Sequence, residues 1–289
     1  MIFSQPVIPL MRKRFSCRSY EDHPLQDSDR QTLDVFLRDL PPGPFGARPR
    51  FVLAAAAPQD RSALRGLSTY GFIKNAPAFI MGAVSPSVGD MEDYGYLMEM
   101  AVLCATGLGL GTCWLGGTFS HSSFAAKVGL QPGETLPAVV PTGAISPHRY
   151  PPADLIRRAA GSDSRLEAPA LFFEGDFSTP IAMERAGAYA EALEMVRLGP
   201  SASNKQPWRV LHQDRVWHFF LKRTPGYGKG LSSHLVHADL QRVDMGIALC
   251  HFALAAAELG IAGGWQVLSS PQMAPLPGEY CLSWVEAGS

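Results

Sequence analysis

Two stretches of sequence decide how this chain of 289 residues is organised. They are DYGYLMEMAVLCATGLGLGTCW (residues 93–114) and DMGIALCHFALAAAELGIAGGW (residues 244–265). A shift of 151 positions places the Asp-x-Gly, the Leu-Gly and the closing Trp of the first stretch on the same residues of the second. Small and apolar residues dominate both stretches, which predicts two buried helices. The glycine of each Leu-Gly suits a left-handed cap at the helix end.

A second set of matches favours an internal duplication over a chance likeness between two Ala- and Leu-rich helices. At an offset of 158 positions, Leu40, Pro42, Pro49, Val52 and Leu53 match Leu198, Pro200, Pro207, Val210 and Leu211. The offsets differ by one loop length, which surface connections tolerate at little cost. The period is far longer than the roughly 20–50 residues of a solenoid repeat. We therefore predict two halves of one fold, residues 1–165 and residues 166–289.

Composition places the chain among globular proteins. Hydrophobic residues make up 46% and charged residues 18%, and the net charge is −1. We therefore expect a large core and no general attraction to nucleic acid or to an anionic membrane. Five cysteines without a Cys-x-x-Cys pair argue against a disulfide framework or a structural zinc. Without a bilayer-length apolar run or the charge order of a secretory signal, we expect a cytoplasmic protein.

The pattern of apolar residues and turn residues predicts an α+β fold. Helices are predicted over residues 27–40, 91–110, 180–198 and 242–259, and strands over residues 50–57, 78–84, 136–145, 209–213 and 215–222. The last two strands would form a hairpin, and residues 147–164 and 223–240 would be long connections. Because strands and helices do not alternate regularly, a doubly wound sheet is not expected.

Two polar segments are candidates for ligand binding. In an extended segment, Arg14, Ser16 and Arg18 project to one side at intervals of about 6.6 Å, and paired guanidinium groups suit a phosphate. The alternative is a solvated basic surface. The second segment, PSASNKQPW (residues 200–208), offers neutral donors and acceptors between stiffening prolines. The matching PGPFGARPR (residues 42–50) keeps the prolines but lacks the Ser, Asn, Gln and Trp, which argues against an ordinary turn.

Other motifs indicate less. The glycines of residues 107–117 follow a helix instead of opening one, so a dinucleotide fingerprint is rejected in favour of a helix end and a ligand-approaching loop. The eight histidines form no convincing metal pair, and no nucleophile elbow or paired-carboxylate signature is present.

Together, these segments resemble the FMN-dependent nitroreductase family. The family pattern combines an N-terminal Arg-x-Ser-x-Arg (residues 14–18), a helix ending in Leu-Gly-Leu-Gly-x-Cys-Trp (residues 108–114) and Pro-Ser-x-x-Asn-x-Gln-Pro-Trp (residues 200–208). The resemblance implies a nitroreductase-like α+β fold. Most members are homodimers with FMN at the interface, and a smaller branch fuses both protomers into one chain. This sequence is similar to that branch, which implies a monomer with an internal pseudo-dimer.

The resemblance also implies site residues. The first half would supply Arg14, Ser16, Arg18, Trp114, Leu115, Gly116 and Gly117, and the second half would supply Pro200, Ser201, Ala202 and Asn204. Arg14 would hold the phosphate, Arg18 the flavin N1/O2 edge, and the Gly116 amide would lie near N5. Arg149 and Arg165 are both candidates for a further phosphate ligand.

The implied activity is hydride transfer from NAD(P)H through FMN to an electron-poor small molecule, such as a nitroaromatic or a quinone, in a ping-pong cycle. A second site would need the basic motif near residues 168–180 and Pro-Ser-x-x-Asn near residues 42–46, and the sequence has neither. One FMN site per chain is therefore expected. The alternatives are a flavin-binding sensor or carrier without turnover, and other flavin chemistry such as dehalogenation or flavin fragmentation.

Overall fold

The computed structural model describes residues 3–148, 164–227, 237–268 and 278–287. Its helices are α1 (Val7–Lys13), α2 (Asp27–Arg38), α3 (Asp90–Gly107), α4 (His121–Val128), α5 (Ala190–Leu198) and α6 (Leu240–Glu258). Its strands are β1 (Arg50–Ala55), β2 (Ala78–Ala83), β3 (Gly111–Thr112), β4 (Val139–Gly143), β5 (Phe172–Glu174), β6 (Trp208–Gln213), β7 (Val216–Leu221), β8 (Gly263–Gln266) and β9 (Glu279–Glu286).

The strands form two sheets with the same core topology. The first sheet has the order β1-β2-β4-β3, and the second has β5-β6-β7-β9-β8. Without its edge strand β5, the second sheet repeats the order of the first. All the described ladders are antiparallel except that between β5 and β6. β1 and β6 begin 158 positions apart, which is the offset found in the sequence. The internal duplication is therefore a duplication of structure.

The two long helices α3 and α6 pack against each other at the glycines of the repeated Asp-x-Gly. A Cβ atom on Gly95 would lie 2.1 Å from the Val243 carbonyl oxygen, and one on Gly246 would lie 1.9 Å from the Glu92 carbonyl oxygen. Each helix thus brings its backbone against the other where only glycine fits. The repeated glycine is the residue that lets the two halves join.

Helix α1 belongs to the first half in sequence but packs on the second. Its buried side chains Val7, Ile8, Leu10 and Met11 share one core cluster with residues of α5, α6 and the second sheet. The backbone amides of Val7 and Ile8 donate to the Glu258 carboxylate at the end of α6. This anchorage places the basic segment that follows α1 beside the second half.

Most predicted elements are confirmed, with ends shifted by a few residues. The predicted hairpin exists, and its turn residues Asp214 and Arg215 have φ values of 49° and 65°, as a two-residue type I′ turn requires. The helix predicted over residues 180–198 is wrong in its first part. A 3-10 helix covers Met183–Tyr189, and Gly187 (φ 55°, ψ −129°) interrupts it before α5 begins at Ala190.

The short elements α1, α4, β3, β5 and β8 were not predicted, and neither was the eight-residue strand β9. The boundary between residues 165 and 166 stays a prediction, since residues 149–163 lie outside the described ranges. Within those ranges, no helix combines the length and the hydropathy that crossing a bilayer would need.

Candidate functional site

The basic segment lies along the edge of the first sheet. Ser16 pairs with Thr112 of β3, and the Cys17 amide donates to the Thr112 carbonyl at 2.8 Å. The Arg18 carbonyl accepts a hydrogen bond from the Lys74 amide at 2.9 Å. This extended pairing gives the segment the alternation expected of a strand. Arg14, Ser16 and Arg18 all line one cleft, and Phe15 lines it as well.

The Pro-Ser-Ala-Ser-Asn loop of the second half has a strained backbone. Ser203, Asn204 and Gln206 have φ values of 50°, 53° and 48°, a left-handed region that non-glycine residues rarely adopt. Hydrogen bonds hold this shape, because the Ser201 hydroxyl accepts from the Gln206 amide and the Asp244 Oδ1 accepts from the Ala202 amide, both at 2.9 Å. Strain that the surroundings maintain is typical of binding loops.

The two segments face each other across a cleft of about 800 Å³. The predicted site residues that line it are Arg14, Ser16, Arg18, Trp114, Leu115, Gly116, Gly117, Arg165, Pro200, Ser201, Ala202 and Asn204. The volume falls within the range of small-molecule sites. Residues that were distant in sequence therefore meet in one place. Their individual roles stay predictions.

The loop after α3 forms one wall of the cleft. Leu115 exchanges two backbone hydrogen bonds with Val139, each at 2.9 Å. A Cβ atom on Gly116 would lie 2.5 Å from the Leu240 side chain. The wall is thus pressed against α6 of the second half, and the glycine permits that contact.

A buried network beneath the cleft was not predicted from the sequence. Glu99 of α3 is fully buried and accepts hydrogen bonds from the Trp114 indole at 2.7 Å. Its other oxygen lies 3.0 Å from the His251 Nε2 and 3.9 Å from the Arg14 Nε. His251 is also fully buried, and its Nδ1 contacts the Met195 carbonyl at 2.8 Å. The sequence signal that could have revealed this network is Glu99 itself, a charged residue in the middle of an apolar helix.

Arg14 lines the cleft with a nearly buried side chain. Its side chain is only 5% exposed, and its Nε has no hydrogen-bond partner. A guanidinium in that position suits an anionic group entering from the cleft, since buried donors left unpaired are costly. The duplication has no equivalent network, because the positions matching Glu99 and His251 are Cys250 and Met100.

Of the two late arginines, Arg165 lines the cleft. Its guanidinium donates to the Asn204 Oδ1 at 3.3 Å and to the Leu198 carbonyl at 3.3 Å. Arg165 therefore lies against the strained loop. Arg149 lies outside the described residues, so both arginines stay candidates for the phosphate ligand.

The repeated Asp residues hold the corresponding loops of the two halves differently. Asp93 accepts from the amides of Phe45 and Ala47 at 2.9 and 2.7 Å. Among the described residues, Asp244 accepts only from the Ala202 amide, and its Oδ2 has no hydrogen-bond partner. Asp244 also lines the cleft. The role of this residue was not foreseen, although its place in the repeat was recognised.

The segments expected to have lost the second site have structural roles. Residues 168–176 contain a 3-10 turn (Ala168–Ala170) and the edge strand β5. Phe45, at the position matching Ser203, packs on the core of the second half. In the described part of the chain, no group of three His, Cys, Asp or Glu side chains could hold a metal ion.

Comparison with known proteins agrees with this architecture. A putative nitroreductase from Thermotoga maritima is 16% identical and superposes with a TM-score of 0.61, covering 98% of this chain and 95% of that one. The structure therefore has the nitroreductase-like α+β fold, internally duplicated. The family model described as "Putative TM nitroreductase" matches residues 6–256. The chain belongs to this nitroreductase family.

Shorter solved proteins match about half of the chain. A putative nitroreductase in complex with FMN from Desulfovibrio desulfuricans is 24% identical, with a TM-score of 0.39, and covers 53% of this chain and 96% of its own. A nitroreductase with bound FMN from Desulfitobacterium hafniense is 18% identical, with a TM-score of 0.39, and covers 51% and 93%. The comparison with curated proteins found no match.

Proposed function

We propose that this protein is an FMN-dependent oxidoreductase that takes hydride from NAD(P)H and passes the electrons to a nitroaromatic or quinone-type acceptor in a ping-pong cycle. The observation that carries the proposal is the single cleft in which the basic segment of one half meets the strained polar loop of the other. Membership of the nitroreductase family supports the same class of reaction.

The chemistry of the residues that line the cleft fits both the phosphate and the ring of FMN. A phosphate needs a fixed cation, and Arg14 offers a nearly buried guanidinium that lines the cleft and whose Nε lies 3.9 Å from the Glu99 carboxylate, beyond hydrogen-bond distance. A flat ring needs an apolar wall with polar groups at its edge, which Trp114–Gly117 and Pro200–Asn204 can provide from opposite sides. When bound, FMN would supply the hydride and electron chemistry.

The chain's own residues would bind FMN and adjust its reduction potential. Arg14 and Arg165 would hold the phosphate end, and Arg18 would face the ring edge where negative charge develops on reduction. A charge-assisted hydrogen bond of that kind is worth roughly 1.5–3 kcal/mol. Because one chain contains both halves of the site, we also propose that the protein acts as a monomer.

Purified protein tests the proposal directly. We expect a flavin absorbance spectrum that bleaches on anaerobic addition of NADH or NADPH and returns on addition of a quinone. The control is protein freed of flavin, which should consume neither nucleotide. Bound flavin that neither nucleotide reduces would contradict the proposed reaction and favour a carrier or sensor.

A further inference from the structure

The two halves offer an internal comparison at Asp93 and Asp244, which occupy the same position of the duplication. Both side chains are buried, at 0% and 3% exposure. In the first half, each carboxylate oxygen of Asp93 accepts one loop amide. In the second half, one oxygen of Asp244 accepts a loop amide and the other has no partner. Only the aspartate that lines the cleft therefore has, among the described residues, a carboxyl oxygen without a hydrogen-bond partner.

Burial raises the pKa of both carboxyl groups, and fewer loop amides oppose the rise at Asp244 than at Asp93. Burial raises the pKa of Asp93 to about 6, while its two loop amides oppose the rise. Burial raises the pKa of Asp244 well above its ordinary range, with a single amide opposing it and with Asp239 adding to the rise. A buried carboxyl group with one amide donor and one oxygen without a hydrogen-bond partner favours its neutral form, which carries a proton. Since Oδ1 of Asp244 accepts from Ala202, the proton belongs on Oδ2.

An unpaired hydroxyl in this place would be costly unless a ligand satisfied it. Asp244 lines the cleft together with Ala202 and Ser203, whose loop it anchors. Tyr227 lines the same region. Asp244 thus belongs to the lining of the cleft, whereas Asp93 holds the loop of the first half.

We propose that Asp244 is a ligand-binding residue that donates a hydrogen bond from Oδ2 to an acceptor atom of the molecule in the cleft. The matching chemistry is a carbonyl oxygen or an unprotonated ring nitrogen of a heteroaromatic or quinoid ring. This inference rests on the proposed function, and the two sources of such an atom are FMN and the electron acceptor.

The first experiment uses flavin-free protein and the pair Asp93→Asn and Asp244→Asn. An asparagine at 93 must turn its NH2 towards a loop amide, so we expect the melting temperature to fall by roughly 3–8 °C. An asparagine at 244 can keep its oxygen on Ala202 and its NH2 in place of the hydroxyl, so we expect almost no change. Equal losses in both variants would overturn the proposal, because Asp244 would then be a charged acceptor.

The second experiment measures FMN affinity by quenching of flavin fluorescence. Asp244→Ala should weaken binding roughly 3- to 10-fold, Asp244→Asn should stay close to the parent protein, and Asp93→Ala is the matched control without effect. If Asp244→Ala leaves FMN affinity unchanged, the KM for p-benzoquinone should rise by the same factor, and the donor then serves the acceptor.

Two results separate the claims. An Asp244→Asn variant as defective as Asp244→Ala, or an Asp244→Ala variant no different from Asp93→Ala in both assays, would overturn the donor role. A parent protein that binds no FMN would refute the proposed function, whereas the melting comparison would still report whether Asp244 is neutral.

Discussion

Two arginines four residues apart have different surroundings, and this difference separates their expected roles. Arg14 is nearly buried, and its Nε lies 3.9 Å from the Glu99 carboxylate, beyond hydrogen-bond distance. Arg18 lies further along the same extended segment, where its backbone carbonyl accepts a hydrogen bond from the Lys74 amide and the residue is half-buried. Both side chains line the cleft. A phosphate role for the first and a ring-edge role for the second remain predictions from the family resemblance.

Substitution of each arginine separates affinity from potential. Arg14→Ala should weaken FMN binding roughly 10- to 150-fold, because a charge-assisted bond is worth roughly 1.5–3 kcal/mol. Arg18→Ala should instead lower the flavin reduction potential by about 30–65 mV, since the reduced ring loses its counter-charge. Fluorescence titration and anaerobic redox titration measure the two effects.

The control for these variants is Lys13→Ala, which removes an exposed positive charge next to Arg14 that does not line the cleft. It should change neither quantity. An unchanged potential in Arg18→Ala would show that this guanidinium does not face the ring.

At the scale of elements, the site depends on how closely α3 and α6 approach. These helices carry Asp93, Glu99, Asp244 and His251, so their spacing positions both the loop anchors and the buried network. The spacing is set by Gly95 and Gly246, which bring backbone against backbone. The strained loop and the Trp114 wall are held from this helix pair.

Gly246→Ala should therefore destabilise the whole protein. The added Cβ would meet the Glu92 carbonyl oxygen at 1.9 Å, and overpacking of this kind costs about 1–3 kcal/mol. We expect a melting temperature lower by roughly 2–10 °C. Gly264→Ala is the control, because a Cβ atom there meets nothing within 4 Å. Equal melting temperatures would mean that the helices can move apart freely.

At the scale of the molecule, the duplication has produced two halves that are alike in topology and unlike in chemistry. The strand order is shared, and the helices pack symmetrically through their glycines. The basic segment, the buried Glu99 network and the strained loop occur on one side only. The other side has Phe45 packed on the core and the edge strand β5.

This asymmetry predicts one FMN per chain. Flavin released by denaturation and measured by absorbance should equal the molar amount of protein, since one side lacks the arginines and the polar loop. As a control, Arg14→Ala protein prepared in the same way should retain much less flavin. Two flavins per chain would contradict the assignment of a single site.

Local sequence features were enough to predict much of the architecture. Apolar periodicity gave the bounds of α2, α3 and α6 within a few residues, because long helices and strands are specified by their own pattern. The repeated Asp-x-Gly and the shifted prolines revealed the duplication. The motifs around Arg14 and Asn204 identified some of the residues that line the cleft. These signals are local, so they survive in the sequence without knowledge of the fold.

Features that depend on distant partners could not be predicted. The short helix α1 packs on the second half, and β3, β5 and β8 are too short for a periodic signal. Gly187 interrupts a predicted helix because its backbone is not helical, and the pattern of apolar residues does not predict that conformation. Glu99 and His251 lie 152 positions apart, and the free oxygen of Asp244 follows from which amides its loop presents. Such contacts are decided when two helices meet, because burial and hydrogen-bond pairing are properties of the packed molecule.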